Sequence, residues 1–389
     1  MVLLLHTLDR LIPDRMNFSA PSGRTHSRLA DAFMDDTSVG FTSSDSTQYE
    51  ELVKRLEHIA QTWEHLLSLS GCQLNFKKCS WFAMRWEWKS GRPTLREIQC
   101  TDPSLRLHSG QDTRETVPIR QTELDSSSRI LGVMLNPMGN LSAHISELRR
   151  KRADEYSRRL LSPRLNASDG SIFHQCIYIP SMRYSLAAIA VDEQDLSCIQ
   201  SRIMQSLLQK LGYSSKIPTA LRHGPTELGG LGLYDLRTEA GLEALKFFRN
   251  SIYENSETGN LLCINLEHSQ REAGILEPLL AHPNIYVSYL SPFWLMSLRQ
   301  YLFLHNLHIV VTDTFQDTLR GPSDAIIMQQ EHLSRYTKAQ QRDLNLVRMY
   351  LQVSRLSGMV DRDQANRIAL CFLDAARPST FVTDGNWPR

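Results

Sequence analysis

Two adjacent carboxylates, Asp35 and Asp36, stand between two short apolar segments, Leu29–Met34 and Thr37–Phe41. Placing two charges beside a packed sheet is costly unless something compensates them. We therefore expect two strands that meet in a turn, with both carboxylates at its tip. There the side chains lie close to one point and could hold a hard divalent cation such as Mg²⁺. The alternative is an ordinary Asp-Asp turn, in which each side chain accepts from local backbone N–H groups.

An amphipathic helix is predicted directly after this pair of strands. Apolar residues recur at helical spacing from Tyr49 to Ser70, and Gly71 is a natural stop. Gln73–Phe76 is predicted as a strand. The tryptophans at 81, 86 and 88 could stack on bases, but packing against the helix that carries Trp63 is the favoured interpretation.

Residues 1–28 are predicted to be irregular, because Pro13, Pro21 and Gly23 interrupt them. Residues 89–128 are rich in Ser, Thr, Asp and Arg, and we predict a long loop or insertion that carries little core. The segment Arg129–Leu135 is predicted as one compact strand followed by a turn at residues 136–140.

Long amphipathic helices dominate after residue 140. We predict them at about 141–161, 168–190, 193–212 and 235–253, and a further one at 339–357. The fold class is therefore expected to be α+β, with a small antiparallel sheet and helices followed by a mostly helical region. The corresponding regions are an irregular segment at 1–28, a sheet-containing region at 29–140, a helical region at 141–255 and a second helical region at 256–389.

Composition restricts the class of protein more than its function. Of 389 residues, 41% are hydrophobic and 22% are charged, as in a chain that forms a core. Lys and Arg number 43 against 42 Asp and Glu, so any basic surface must be local. The seven cysteines include no C-x-x-C pair, which argues against a disulfide scaffold or a zinc module. No signal peptide or membrane span is recognised, and we expect an intracellular protein without a membrane partner, in nucleus or cytoplasm.

The order of strand, Asp-Asp turn, strand, helix and further strand is the layout of a polymerase palm. Here the sequence resembles the reverse transcriptases of LINE-like (non-LTR) retrotransposons. Four segments carry the resemblance: Phe33-Met34-Asp35-Asp36, similar to the family's [YF]-x-D-D box; Gly71 through Lys78, similar to its G-x-x-x-N-x-x-K segment; Arg129 through Val133, similar to the L-G strand at the palm–thumb junction; and residues 223–236, similar to its downstream G-G-L-G-L-x-D-L segment. They occur in the family's order and cover about residues 29–250.

This resemblance implies a palm at 29–140, a thumb-like region at 141–255 and two-metal nucleotidyl transfer. Asp35 would be the principal Mg²⁺ ligand, with Asp36 beside it as a weaker ligand. Lys77 or Lys78 would lie near the incoming deoxynucleoside triphosphate as a charge clamp or proton donor. Two solvated lysines after a strand are the equally weighted alternative.

A run of basic residues follows the predicted palm, on the first of the long helices. It consists of Arg149, Arg150, Lys151 and Arg152, with Arg158 and Arg159 two turns later. A thumb helix would use such residues to contact the phosphates of an RNA template paired with a DNA or RNA primer. The competing interpretation is an ordinary solvated helical face.

The resemblance also defines what this chain lacks. A polymerase palm needs a third carboxylate upstream of the Asp-Asp pair, in a D-x-x-x-[AS]-[FY]-D type segment. Asp9 and Asp14 do not lie in such a motif, and only 34 residues precede Asp35. We therefore expect a fragment cut at both edges, with weak Mg²⁺ binding and little polymerase activity of its own. Two alternatives stay open: a non-catalytic nucleic-acid-binding protein derived from a retroelement, and a helical interaction protein whose Asp-Asp turn is only a turn.

Overall fold

The computed structural model describes residues 2–33, 36–44, 46–89, 92–99, 102–109, 112–275, 277–290, 293–311, 326–328, 333–350 and 353–355. Over these residues the fold is α+β, because helices are combined with small two-stranded sheets. The chain divides into two units. The first contains residues 1–18 and 25–140, and the second contains residues 19–24 and, among the described residues, those from Leu141 to Arg355.

The first unit holds the described strands and two helices. In chain order its elements are α1 (Val2–Leu11), β1 (Met16–Ser19), β2 (Thr25–Arg28), β3 (Ala30–Phe33), β4 (Asp36–Val39), α2 (Tyr49–Leu69), β5 (Ser80–Trp81), β6 (Trp86–Lys89), β7 (Arg92–Leu95), β8 (Arg106–Ser109), β9 (Asp112–Pro118), β10 (Arg120–Gln121), β11 (Ser128–Ile130) and β12 (Val133–Leu135). The strands pair two by two: β1 with β2, β3 with β4, β6 with β7, β8 with β9, β11 with β12, and β5 with β10 in parallel. The described strands form no larger sheet.

Helix α2 organises this unit, and its prediction from spacing is confirmed. It ends before Gly71, whose φ of 82° is readily adopted only by glycine. Its C-terminal half buries Ile59 and Trp63 against α1 and the β3–β4 hairpin, while its N-terminal half buries Val53 against a second cluster that includes Trp81. Removing these side chains from water is the main stabilising term for the first unit.

Two segments predicted to be irregular carry core residues instead. Within 1–28, helix α1 buries Leu8 and Ile12 against α2, since its apolar residues recur at helical spacing before Pro13 stops it. Within 89–128, the β6–β7 and β8–β9 hairpins form, and Leu105 and Leu107 lie in the core. Both predictions were wrong. The two segments have a composition typical of loops, and their few apolar residues are buried only because other parts of the chain pack against them.

Two strand predictions were also wrong. Residues 72–75 adopt no strand, and a turn follows in which the Lys78 amide donates to the Asn75 carbonyl at 2.8 Å. The segment 129–135 is a tight hairpin rather than one strand, since Leu131 and Gly132 both have positive φ, 47° and 83°. Two consecutive residues with positive φ form a type I′ turn, whose twist matches that of paired strands.

The second unit is helical in its described residues, and the four long helices predicted first are confirmed. Its elements are α3 (Ser142–Glu147), a first π-helical turn (Leu148–Ala153), α4 (Asp154–Leu160), α5 (Ala167–Phe173), a second π-helical turn (His174–Tyr178), α6 (Ile179–Leu186), α7 (Glu193–Lys210), α8 (Thr219–His223), a 3₁₀ turn (Thr226–Leu228), α9 (Leu236–Tyr253), α10 (Glu257–Ala273), α11 (Trp294–Leu304) and α12 (Lys338–Tyr350). Four of these helices begin with a side chain that accepts a hydrogen bond from a backbone N–H group of the first turn: Asn166, Asp192, Asp235 and Ser256. None of the described helices is long and apolar enough to span a bilayer.

The type I′ turn gives a stability prediction. Leu131 is 39% exposed and occupies a left-handed conformation that Asn adopts more readily. We expect Leu131→Asn to raise the free energy of unfolding by about 1 kcal/mol, measured by urea denaturation. Leu135→Asn is the matched control, because Leu135 is 38% exposed but lies in β12; it should give no gain. A loss of stability in Leu131→Asn would contradict the turn assignment.

Candidate acidic hairpin and nucleic-acid interface

The chain reverses direction between β3 and β4, where the acidic pair was predicted. Ala30 pairs with Val39 and Phe33 pairs with Asp36, so only two residues separate the paired ends. Ala30 and Val39 pack against the apolar cluster of α2 and α1. Asp36 is exposed at the start of β4, whereas Asp35 lies outside the described residues.

The other carboxylates near this hairpin in sequence are engaged by arginines. Asp9 lies 3.0 Å from the Arg15 guanidinium, Asp14 pairs with Arg55, and Asp31 pairs with Arg28. In the described part of the chain no group of three Asp, Glu, His or Cys side chains is arranged to hold a metal ion. Asp36 alone does not fit an Mg²⁺ site, which needs more oxygen ligands in a defined geometry.

Lys77 and Lys78 are exposed in the turn that replaces the predicted strand. Leu74 and Phe76 anchor this segment by packing against the α2 clusters. Among the described residues, no hydrogen bond or ion pair joins either lysine to Asp36. The structure therefore places the two lysines at the surface, in a segment that Leu74 anchors to the same cluster as Ala30 and Val39.

The predicted basic run lies on one continuous helix formed by α3, the first π-helical turn and α4, which we call the basic helix (residues 142–160). Leu148 and Ala153 are both fully buried although they lie five positions apart in the chain. In an α-helix that spacing would turn them about 140° apart. The π-helical turn, with its wider i to i+5 repeat, brings both onto the core side. The three residues Arg149, Arg150 and Lys151 between them consequently point to solvent.

The six basic residues of this helix differ in their engagement. Arg152 is half-buried and donates to the Ser181 carbonyl of α6, so it joins two helices. Arg159 pairs with Glu155 in the next turn back, and both side chains are largely exposed. Such surface pairs contribute about 0–1 kcal/mol, so a phosphate can displace the carboxylate.

The remaining four of these residues include the most accessible cations. Arg150 and Lys151 are exposed, and the described residues give neither a hydrogen bond nor an ion pair to them. Arg158 is exposed and makes only a long 3.4 Å contact with the Asp154 carbonyl. Arg149 is also exposed but faces an acid, since its charge lowers the pKa of Asp195, which desolvation and Asp192 together raise. The accessible positive charge is therefore concentrated at Arg150, Lys151 and Arg158.

The glycine-rich segment after α8 is explained by close backbone packing. The Leu231 amide donates to the Leu221 carbonyl at 2.8 Å, and the Gly232 amide donates to the Gly224 carbonyl at 2.9 Å. A Cβ atom on Gly230 would lie 2.2 Å from the Gly224 carbonyl oxygen. Only glycine allows this approach, which fixes α8 against the chain that enters α9.

A buried histidine and tyrosine cluster, to which the sequence interpretation gave no role, lies at the second π-helical turn. His174 stacks on Tyr178 at 5.6 Å between ring centroids, and Tyr156 of the basic helix contacts Tyr178 edge-on at 5.9 Å. Desolvation by burial, with a smaller contribution from the charge of His223, lowers the pKa of His174 to about 4. The signal in the sequence was the spacing of His174 and Tyr178, four residues apart on one helical face.

His223 is held in one tautomer by its neighbours. The Gln200 side-chain oxygen accepts from the Leu236 amide at 2.8 Å, so the Gln200 amide group faces His223 Nε2 at 3.3 Å and donates to it. The Nδ1 hydrogen of His223 then donates to the Leu233 carbonyl at 2.7 Å. With its hydrogen on Nδ1, the imidazole satisfies both contacts.

The three tryptophans after α2 have different environments. Trp81 is buried against Tyr49 and Val53 at the N-terminal half of α2, and its indole nitrogen donates to the Ile119 carbonyl at 3.2 Å. Trp86 is 63% exposed on β6. The side chain of Trp88 lies outside the described residues. Among the tryptophan side chains that the structure describes after α2, Trp81 packs on this helix as predicted. It does so at the N-terminal half of α2 and not at the end that carries Trp63.

Comparisons of this chain with protein-family models, with curated proteins and with solved structures find no match.

The neutral His174 gives a pH prediction. Its folded-state pKa is about 4 against 6.5 for an ordinary histidine, so the unfolded chain binds the extra proton between these values. The stability of the second unit should therefore fall as the pH drops from 7.5 to 5, by about 2 kcal/mol from this residue. The measurement is urea denaturation followed by circular dichroism at both pH values. His174→Phe should lose that part of the pH dependence, and an unchanged pH dependence in this variant would rule out His174 as its source.

Proposed function

We propose that this chain is derived from a reverse transcriptase of a LINE-like retroelement and binds the phosphate backbone of a paired nucleic acid. The observation that carries the proposal is the basic helix, whose core side is fixed by burial and whose solvent side presents Arg150, Lys151 and Arg158. Cations fixed on a helix contact phosphates without reading bases, so binding should be indifferent to sequence and sensitive to salt.

The order of elements supports the polymerase origin. A hairpin carrying the Asp-Asp pair packs on an amphipathic helix, and the basic helix follows in the second unit. Under this proposal the first unit corresponds to a palm-type region and the basic helix to a thumb. The bound partner would be an RNA template paired with a DNA or RNA primer, and deoxynucleoside triphosphates would be the substrates of the intact enzyme.

The described residues support a catalytic role less strongly than they support nucleic-acid binding. When bound, Mg²⁺ would neutralise the charge that develops in nucleotidyl transfer. The described residues contribute only Asp36 to such a site, and the neighbouring Asp9, Asp14 and Asp31 are occupied by arginines. We derive no reaction step through a metal. This engagement of the acids favours the second candidate function, a retroelement-derived nucleic-acid-binding protein without catalysis.

The binding proposal predicts a salt-dependent loss in a charge variant. Arg150→Gln/Lys151→Gln/Arg158→Gln should weaken binding to an RNA–DNA duplex and reduce the slope of log K against log salt by about 2–3, because each lost phosphate contact removes about 0.7–0.9. The measurement is fluorescence anisotropy with a labelled duplex across a salt series.

The matched control neutralises three exposed cations elsewhere in the second unit, as Lys216→Gln/Arg249→Gln/Arg342→Gln. It removes the same charge but should leave the slope close to that of the unaltered chain. Equal losses in both triple variants would show that net charge, rather than the basic helix, determines binding. Arg152→Gln should mainly lower stability, because its guanidinium bonds the Ser181 carbonyl.

A separate prediction concerns catalysis. We expect no efficient Mg²⁺-dependent primer extension by this chain, and only weak Mg²⁺ binding by calorimetry, since two carboxylates supply too little charge and too few ligands. Asp35→Asn should therefore leave duplex binding unchanged. Primer extension that Asp35→Asn abolishes would instead establish an active polymerase. Absence of both extension and duplex binding would leave the helical interaction protein.

A further inference from the structure

A turn that directly follows the basic helix carries a serine within a set of cations. Ser162 precedes Pro163, and the Leu165 amide donates to the Ser162 carbonyl at 3.2 Å, which closes a β-turn with proline at its second position. The Arg164 amide approaches the Ser162 hydroxyl oxygen at 3.4 Å on the exposed side of the turn. The hydroxyl is therefore presented on a short surface loop between two helices.

Lys210 is held in place against this turn. Its ammonium group donates to the Ser162 carbonyl at 2.8 Å and to the Leu165 carbonyl at 3.0 Å. Its stem crosses Gly170, where an added Cβ atom would lie 2.7 Å from the Lys210 Cγ atom. Two of its three ammonium hydrogens are thus used, and the third remains to bond an oxygen attached to Ser162.

Further cations surround the same turn. The Ser162 amide donates to the Arg159 carbonyl at 3.1 Å, so Arg158 and Arg159 lie in the adjoining helical turn, and Arg164 lies two residues after Ser162. The acids close in sequence are engaged: Glu155 pairs with Arg159, and the Asp169 carboxylate accepts from the Asn166 amide at 3.0 Å. The C-terminal end of a helix repels an anion, but the Lys210 ammonium, bonded to the Ser162 and Leu165 carbonyls of the turn that follows, places a positive charge there.

We propose that Ser162 is a phosphorylation site and that its phosphate is bound by Lys210 with Arg158 and Arg164. A proline-directed serine kinase would transfer the group from ATP. The Ser162 Oγ atom forms the new bond to the γ-phosphorus, the bond from that phosphorus to the β,γ-bridging oxygen breaks, ADP leaves with the electron pair, and the hydroxyl proton passes to a base of the kinase.

The modification would regulate the basic helix, and this consequence rests on the function proposed above. A phosphate at Ser162 adds close to two negative charges and competes with nucleic acid for Arg158 and its neighbours. Phosphorylation would therefore act as an electrostatic switch that lowers duplex affinity without altering the fold.

The first test is the modification itself. The full chain is incubated with a proline-directed serine kinase and ATP, and intact mass and peptide mapping locate the phosphate. We expect modification at Ser162 that Ser162→Ala removes. Modification only at other positions, or none, would overturn the assignment of this site.

The second test measures the phosphate environment without nucleic acid. Phosphoserine is incorporated at position 162 and, as a matched control, at position 70, where Ser70 likewise follows the last turn of a helix but that turn of α2 has no basic residue. By ³¹P NMR titration the second pKa of the phosphate, ordinarily about 6, should be at least half a pH unit lower at position 162. Lys210→Met should raise it again, while circular dichroism checks the fold. Equal values at the two positions would contradict the proposed binding of the phosphate.

The third test separates this inference from the proposed function. Phosphoserine at position 162 should weaken binding to an RNA–DNA duplex about tenfold at fixed salt, and phosphoserine at position 70 should not. If the unmodified chain does not bind the duplex, the proposed function fails while the NMR result still decides the phosphate site. If the unmodified chain binds and position 162 has no effect, the switch fails while the binding function stands.

Discussion

The burial of Leu148, Ala153 and Leu160 on one side of the basic helix determines how the second unit presents its charge. Because the first two lie five positions apart, a regular α-helix would turn them about 140° from each other, and the chain has a π-helical turn between them instead. The hydrophobic gain from burying the apolar side thereby sets the direction of the basic side. The same turn directs Arg152 to the Ser181 carbonyl, so a residue that looks like part of a phosphate-binding run instead joins two helices.

The stability of the first unit depends on two things: the burial of small apolar clusters on α2, and the pairing of nearby acidic side chains with arginines. Two-stranded sheets are marginal by themselves, and the β3–β4 and β8–β9 hairpins are stabilised here by apolar side chains that pack on α2. Around the Asp-Asp pair, arginines neutralise Asp9, Asp14 and Asp31. These ion pairs lower the cost of placing acids near a packed sheet, and they also remove those acids as metal ligands. Binding of a paired nucleic acid is for this reason the stronger half of the functional proposal.

Several features followed from sequence pattern because they depend on local spacing. The helix over Tyr49–Leu69, the four long helices after residue 140 and the reversal at the Asp-Asp pair are of this kind. The wrong predictions concern segments in which a few residues determine the local structure. Leu105 and Leu107 form part of the core of a segment whose composition indicated a loop, and the tight turn at Leu131-Gly132 splits an apolar run that indicated one strand. The buried His174 was missed because its spacing from Tyr178, four residues later, is the same whether the histidine ring is enclosed or exposed.

The sequence by itself determined the fold class, the positions of the long helices and the identity of the charged residues, since periodicity and charge are properties of neighbouring residues. Tertiary structure decided which of those charges stay accessible. Arg150, Lys151 and Arg158 are exposed, Arg152 bonds a neighbouring helix, and Lys210 is held against the turn at Ser162. The physical reason is that burial and pairing arise between segments far apart in the chain, where spacing along the sequence carries no information about which groups meet.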